Sequence, residues 1–136
     1  MRLLLDINII LDIALQRPGE ASSSALIGTC GQQNDAWLAW HSVATLAYLI
    51  ERQQNAATAR DFLADLLSWA KVATTGHADA VKALGWSMPD FEDALQVAAA
   101  LACETSYIIT RNERDFVGAL VPALSPEGFL ALHPGP

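Results

Sequence analysis

The chain has 136 residues, a formal charge of −7 at pH 7, and 52% hydrophobic against 17% charged residues. This length predicts one domain over residues 1–136, and the composition excludes a disordered chain. The negative charge argues against broad electrostatic binding to nucleic acid, but not against a nuclease whose carboxylates hold metal cations. With no apolar run of the roughly 18 residues that a membrane helix needs and no visible signal peptide, we expect a cytoplasmic protein without membrane contact.

Strand and helix patterns alternate along the chain. The predicted strands are Leu3–Asp6, Ala36–His41, Lys71–Thr74, Tyr107–Thr110 and a proline-containing edge strand, Val121–Leu124. The predicted helices are Ile7–Leu15, Glu20–Gly31, Val43–Gln54 capped by Ser42, Thr58–Trp69, Ala78–Leu84, Asp90–Cys103 and Pro126–Leu132. Such alternation predicts an α/β domain with a mostly parallel sheet and helices on both faces. Its ligand site would lie beyond the carboxyl ends of the strands.

Three acids occupy positions that this edge of the sheet would bring together. Asp6 ends the first strand, Asp115 follows the fourth, and Asp93 lies near the start of the helix between the third and fourth strands. Carboxylate oxygens are the protein ligands that Mg²⁺ and Mn²⁺ prefer. The sequence therefore predicts a metal site formed by acids from distant parts of the chain.

The helix predicted over Asp90–Cys103 carries two different kinds of acid. Asp93 heads a stripe that continues with apolar residues, which favours a functional role over simple surface charge. Asp90 completes the pattern Ser87-x-x-Asp90, which is typical of a capping box, so capping is favoured over a site role for it. On the flank of this helix that can face water lie three residues: Glu92, Gln96 and Cys103.

The segments LLLDINIILD, DFEDALQVAAA and YIITRNERDF, in this order and spacing, resemble the PIN domain, and most closely small bacterial PIN proteins including VapC-type toxins. The resemblance implies a three-layer α/β/α fold and a ribonuclease dependent on Mg²⁺ or Mn²⁺, the toxin of a toxin–antitoxin pair. Asp6 and Asp93 match the first and the helical family acids. Asn112 stands where many members carry a further acid, and Asp115 can supply the last carboxylate. Positions that commonly support or orient the acids are matched by Asn8 and Thr110.

One departure from the family pattern concerns the helix after the second strand. Many members carry a glutamate there, in a pattern like S-x-x-T-x-x-E, whereas this chain has Tyr48 at the last position. The next acid, Glu51, is interpreted as an exposed partner of Arg52 or Asn55. The departure leaves fewer charges for a metal, and so keeps open the alternative of a degenerate PIN-like module that acts by binding a protein partner.

Several other charged or polar residues have simpler interpretations. Arg111 and Arg114 flank the last acidic turn, where they either are surface charges or steer a substrate phosphate. Asp12 is predicted to be solvated, and His41 to be the hydrogen-bonded end of the second strand. The expected partners are RNA, an antitoxin protein and a second copy of the chain, the last because many helix faces are apolar and four tryptophans are present.

Overall fold

A computed structural model, describing residues 1–135, has one five-stranded sheet in which every strand is parallel to its neighbours. The strands are β1 Arg2–Leu5, β2 Asp35–Leu38, β3 Ala70–Val72, β4 Tyr107–Ile109 and β5 Ala123–Leu124, in the spatial order β3-β2-β1-β4-β5. The helices are α1 Ile7–Ala14, α2 Glu20–Ile27, α3 Trp40–Gln53, α4 Ala56–Trp69, α5 His77–Leu84, α6 Phe91–Ala102 and α7 Pro126–Leu132, with a 3₁₀ helix over Glu113–Phe116. None of the helices within residues 1–135 has the length and hydrophobicity required to span a bilayer.

Both faces of the sheet are covered, as its central strand shows. Successive side chains of a strand point to opposite faces. Leu3 and Leu5 pack into one core cluster, whereas Leu4 packs into another with Val97 and Ala100 of α6. The first cluster receives buried residues from α1, α2, α3, α4 and α7. The predicted three-layer α/β/α arrangement is therefore confirmed, and so is the edge position of the last strand.

The order of the strands reverses at β1. The chain passes outward from β1 to β2 and β3, then returns to place β4 on the other side of β1. Leu5 of β1 lies opposite Ile109 of β4, so these two strands end side by side. In parallel sheets a crevice opens at such a reversal, outside the carboxyl ends of the strands. Whatever follows Leu5 and Ile109 in the sequence is consequently placed at this crevice.

The start of α3 differs from the prediction. Helix α3 begins at Trp40, so His41 lies in the first helical turn rather than at a strand end, and Ser42 is not its cap. Ala39 is the N-cap, and Ser42 is fully buried where its Oγ accepts a hydrogen bond from Nε2 of Gln96 at 3.0 Å. Because the apolar run continues through Trp40, the sequence alone did not mark where the strand ends and the helix begins.

Helix α6 is more deeply buried than predicted. Its capping by Asp90 is confirmed, since Oδ1 accepts the backbone N–H of Glu92 at 2.8 Å. The predicted capping box with Ser87 is wrong, because Asp90 is itself the N-cap. On the flank predicted to face water, Glu92 is exposed, but the expectation is wrong for Gln96 and Cys103, which are buried. The cause is that α6 packs against α5 as well as the sheet, while the start of α3 covers Gln96.

Candidate active site

Asp6 lies immediately after β1, at the crevice. Its backbone N–H donates to the carbonyl of Ile109 at 2.9 Å, and its Oδ2 accepts the hydroxyl of Thr110 at 2.9 Å. Only 8% of Asp6 is exposed, and this burial raises the pKa of its carboxyl, helped by the negative charge of Glu92. Hydrogen bonding by Thr110 and Asn8 opposes the rise. Asp6 is thus a fixed, partly desolvated carboxylate that is hydrogen-bonded to the predicted supporting residue Thr110.

The turn after β4 carries the remaining acid from this side of the crevice. The N–H of Asn112 donates to Oγ1 of Thr110 at 3.1 Å, and the N–H of Asp115 donates to the carbonyl of Asn112 at 3.0 Å. These bonds close the turn into the short 3₁₀ helix and leave the side chain of Asp115 exposed. Thr110 therefore links Asp6 to the turn that presents Asp115.

Asp93 projects from the first turn of α6 into the same region. Burial, and then the charges of Asp90, Glu92, Asp115 and Asp6, raise the pKa of its carboxyl to about 7. A groove of about 330 Å³ lies between the start of α6 and the turn after β4. Its lining consists of the charged residues Asp90, Asp93, Arg114 and Asp115, together with Ser87, Met88, Pro89 and Val117. The fold therefore brings acids that are distant in the sequence close enough for their charges to affect the pKa of Asp93.

The donor set suits a hard divalent cation. Asp90, Glu92 and Asp93 each offer a carboxylate oxygen, and these atoms lie within 4.8 Å of one another. Mg²⁺ and Mn²⁺ take oxygen ligands of this kind. Asp6 and Asp115 lie outside that compact group, although their charges act on Asp93. Shared ligation by Asp6, Asp93 and Asp115 stays a prediction.

Glu92 belongs to this compact acidic group, although the sequence did not single it out as a candidate site residue. Its Oε1 is bound by Nε2 of His41 and Nε2 of Gln96, each at 2.9 Å, and the bond from His41 is the main cause of its lowered pKa. By contrast Glu51 is exposed, and the hydroxyl of Tyr48 lies on the exposed surface of α3, 3.4 Å from Nη1 of Arg52. Two features of the sequence could have pointed to Glu92. It is an acid directly beside Asp93, and the usual glutamate of α3 is absent because Tyr48 stands in its place.

Arg111 is the centre of a separate charge cluster. Its Nε donates to Oδ2 of Asp12 and its Nη1 to Oε1 of Glu127, each at 2.9 Å. Its Nη2 donates to the carbonyl of Gly19 at 2.6 Å. Nη2 also lies so close to Gly19 that a Cβ added to this glycine would come within 2.5 Å of Nη2. The prediction that Asp12 is solvated is wrong, since only 4% of it is exposed. Asp12 is buried because Arg111 and Arg17 neutralise it and Ser23 donates to it at 2.8 Å.

Arg114 has a different environment from Arg111. It is exposed, lines the acidic groove, and makes no side-chain hydrogen bond or ion pair with any residue in the range 1–135. A guanidinium that is free of protein acceptors retains all its donors for a ligand, and its planar fork matches phosphate oxygens. Of the two arginines of this turn, Arg114 therefore has its hydrogen-bond donors free for a ligand, whereas those of Arg111 are bound to protein acceptors.

Comparison with known proteins adds a family and several structural neighbours. A family model described as the PIN domain matches residues 2–114. Rickettsia felis VapBC2 bound to a DNA fragment from their promoter has a TM-score of 0.69 at 16% identity, covering 92% of this chain and 98% of that one. FitAcB from Neisseria gonorrhoeae has a TM-score of 0.67 at 18% identity, covering 92% and 98%. Mycobacterium tuberculosis VapC20, a Sarcin-Ricin loop cleaving toxin, has a TM-score of 0.70 at 12% identity, covering 87% and 96%. No curated protein sequence matches the chain.

Proposed function

The chain belongs to the PIN-domain family, and we propose that it is a metal-dependent ribonuclease, the toxin of a toxin–antitoxin pair. The observation that carries the proposal is the acidic group formed by Asp6, Asp90, Glu92, Asp93 and Asp115. Burial, and then repulsion from the other carboxylates, raises the pKa of Asp93, and a bound cation would offset that repulsion. Perturbed acids gathered in a groove are typical of functional sites.

In this proposal Asp6, Asp93 and Asp115 hold Mg²⁺ or Mn²⁺, and Asn8, Asp90, Thr110 and Asn112 support them. When bound, the cation supplies Lewis acidity that lowers the pKa of water and neutralises charge on the scissile phosphate. Asp6 is kept in one orientation by the hydroxyl of Thr110. Asp115, which is exposed at the end of the groove turn, is available to orient the attacking water.

Of the two arginines predicted to contact substrate, Arg114 is the better candidate for direct phosphate binding. Arg111 already uses each of its three side-chain nitrogens as a donor to protein acceptors. We propose that Arg111 acts on the substrate indirectly, by holding the turn that carries Asn112 and Asp115, while Arg114 binds phosphate oxygens. RNA is the proposed substrate because the chain belongs to the PIN-domain family and resembles VapC20, a Sarcin-Ricin loop cleaving toxin. The RNA backbone carries the phosphate charge that Arg114 would complement.

The proposed partners are an antitoxin protein and a second copy of the chain, in the cytoplasm. Neighbours with the same fold include VapBC2 and FitAcB, which supports the antitoxin. Large apolar side chains on the surface, among them Trp40 at 68% exposed and Leu84 at 70%, support protein contacts. We propose that residues 1–136 act as a single PIN domain in these assemblies.

A PIN-like module that binds a protein without catalysis is the second candidate. Two observations favour it: Tyr48 replaces the helical glutamate common in the family, and Asn112 replaces a further acid. In that case no bound cation would offset the repulsion among the groove acids. The two candidates therefore differ in whether a divalent cation interacts with this groove.

The deciding experiment is an RNA cleavage assay with wild-type protein, Asp93→Asn and the control Asp61→Asn, each in Mn²⁺ and in EDTA. Asp61 is an exposed acid of α4 outside the groove, so its variant loses the same charge without touching the site. We expect Mn²⁺-dependent cleavage by wild type and Asp61→Asn, and a loss of at least about 100-fold in Asp93→Asn. Cleavage unchanged by EDTA would exclude the metal mechanism, and no Asp93-dependent cleavage would favour the binding module.

A further inference from the structure

Glu92 is held in a fixed position between two helices. Its Oε1 accepts hydrogen bonds from Nε2 of His41 on α3 and Nε2 of Gln96 on α6, both at 2.9 Å. Gln96 is fully buried, and its Nε2 also donates to Oγ of Ser42 at 3.0 Å. Because both contacts fall on Oε1, the other carboxylate oxygen of Glu92 has no hydrogen-bond donor within residues 1–135.

The carboxylate of Glu92 lies next to two of the acids that line the groove. An oxygen of Glu92 lies within 4.8 Å of the corresponding oxygens of Asp90 and Asp93. Its negative charge acts on both Asp93 and the buried Asp6. Since Asp6 follows β1 and Asp93 belongs to α6, the charge of Glu92 acts on acids from both sides of the crevice. The side chain of Glu92 is 48% exposed, so its carboxylate can be reached from solvent although two hydrogen bonds hold it.

A buried atom beside Glu92 supplies an independent observation. Oε1 of Gln96 is buried and has no hydrogen-bond partner in the part of the chain described, although such atoms are ordinarily paired. Turning the amide over would not solve this, because Oε1 would then face the carboxylate of Glu92, acceptor against acceptor. The amide is therefore held in this orientation by its bond to Glu92, at the cost of leaving Oε1 without a partner.

Helix α3 contributes no acid of its own to the groove. The position that carries glutamate in many family members is Tyr48, which is 60% exposed. His41 precedes Tyr48 by seven residues, which places both on the same side of α3, two turns apart. On this side of α3, the imidazole of His41 is the group that contacts Glu92.

We propose that Glu92 supplies the metal-binding carboxylate that α3 lacks, and that His41 and Gln96 are positioning residues that direct its free oxygen to the cation. This inference rests on the proposed metal-dependent function. Helix α6 then gives the site two consecutive acids, Glu92 and Asp93, and the missing α3 acid is replaced from the opposite helix. His41 and Gln96 act through Glu92, since neither needs to touch the cation or the substrate.

The experiment measures Mn²⁺ affinity by calorimetry, together with the change in melting temperature that Mn²⁺ causes. Glu92→Gln is compared with Glu51→Gln, which removes the same charge from an exposed position on α3. We expect Glu92→Gln to weaken Mn²⁺ binding by at least tenfold and to reduce the melting shift, while Glu51→Gln matches wild type. Glu92→Asp, which keeps the charge but shortens the reach, is expected to lie between them.

His41 is tested with His41→Ala and His41→Gln by the same two measurements. Outer hydrogen-bond partners of metal ligands typically change metal affinity by about 10–100-fold. We expect His41→Ala to weaken Mn²⁺ binding by about tenfold and His41→Gln, which keeps a donor at the end of the side chain, to restore most of it. If His41→Ala lowers only the melting temperature of the metal-free protein, the contact is structural and the positioning role is wrong.

The controls separate failure of this inference from failure of the proposed function. If wild type binds Mn²⁺, Asp93→Asn does not, and Glu92→Gln binds as well as Glu51→Gln, then the metal site stands and the role of Glu92 is overturned. If wild type binds no Mn²⁺ at millimolar concentration, the proposed metal dependence and the role of Glu92 are both overturned.

Discussion

Two acidic groups border the turn that follows β4, and they differ in how their charge is balanced. On one side Asp12 is 4% exposed, yet Arg111 and Arg17 pair with it and Ser23 donates to it. On the other side burial, and then the charges of four acids, raise the pKa of Asp93 to about 7.

The difference separates a structural use of acids from a functional one. A buried carboxylate that is paired with cations and hydrogen-bonded can join elements of the fold, although it does not by itself add much net stability. Arg111 joins the turn after β4 to α1 through Asp12 and to α7 through Glu127. Acids that share a groove without matching cations are instead kept at a cost, which is expected where the protein binds an external cation.

The largest effect is expected when the balanced cluster loses its central cation. Arg111→Met would leave Asp12 buried with Arg17 alone, at the longer distance of 3.3 Å. Removing one partner of a buried pair is strongly destabilising, so we expect unfolding stability to fall by about 3 kcal/mol. Urea denaturation of the two proteins measures this directly. Arg114→Met is the matched control, and a loss of the same size there would remove the distinction between the two arginines.

The next test replaces one aspartate by asparagine in each of the two acidic groups. Asp12→Asn is expected to lower stability by about 2 kcal/mol, because Arg111 and Arg17 lose their shared partner. Asp6→Asn is expected to raise the melting temperature of the metal-free protein, because burial and the charge of Glu92 already disfavour the ionised form of Asp6. The same variant should abolish RNA cleavage. Destabilisation of equal size by both variants would show that the groove acids are balanced after all.

The smallest effect concerns pH. The folded-state pKa of Asp93, about 7, lies above its ordinary value of 3.8, so its contribution to stability is present below about pH 4 and is lost as the pH rises through 7. Glu127, whose pKa is lowered to about 2 chiefly by hydrogen bonding with Ser22, behaves oppositely and loses its contribution as the pH falls below about 4.5.

We therefore expect the melting temperature of metal-free wild type to fall by a few degrees more than that of Asp93→Asn between pH 5 and pH 7.5. Taking the difference between the two proteins removes the contribution of titratable groups that both contain. Parallel curves for the two proteins would mean that Asp93 carries no raised pKa in solution.

The sequence determined the order of the elements and the local roles of residues at their ends. Hydrophobic runs separated by helical periodicity gave the alternation of strands and helices, and the helix over Pro126–Leu132 was predicted with its observed bounds. The capping by Asp90 and the place of Asp6 after β1 also follow from neighbours within a few residues. The resemblance to the PIN domain added the ordered set of acids, and the family is confirmed.

The tertiary structure alone decided which polar residues are buried. Gln96 and Asp12 looked solvent-facing because their own helices offer each a polar flank. Gln96 is covered by Ser42, which is 54 residues away in the chain, and Asp12 is neutralised by Arg111, which is 99 residues away. Helical periodicity describes one element at a time, whereas the cost of burying an amide or a carboxylate depends on partners that other elements supply. For the same reason Glu92 became visible as a site residue only when α3 and α6 were seen to meet.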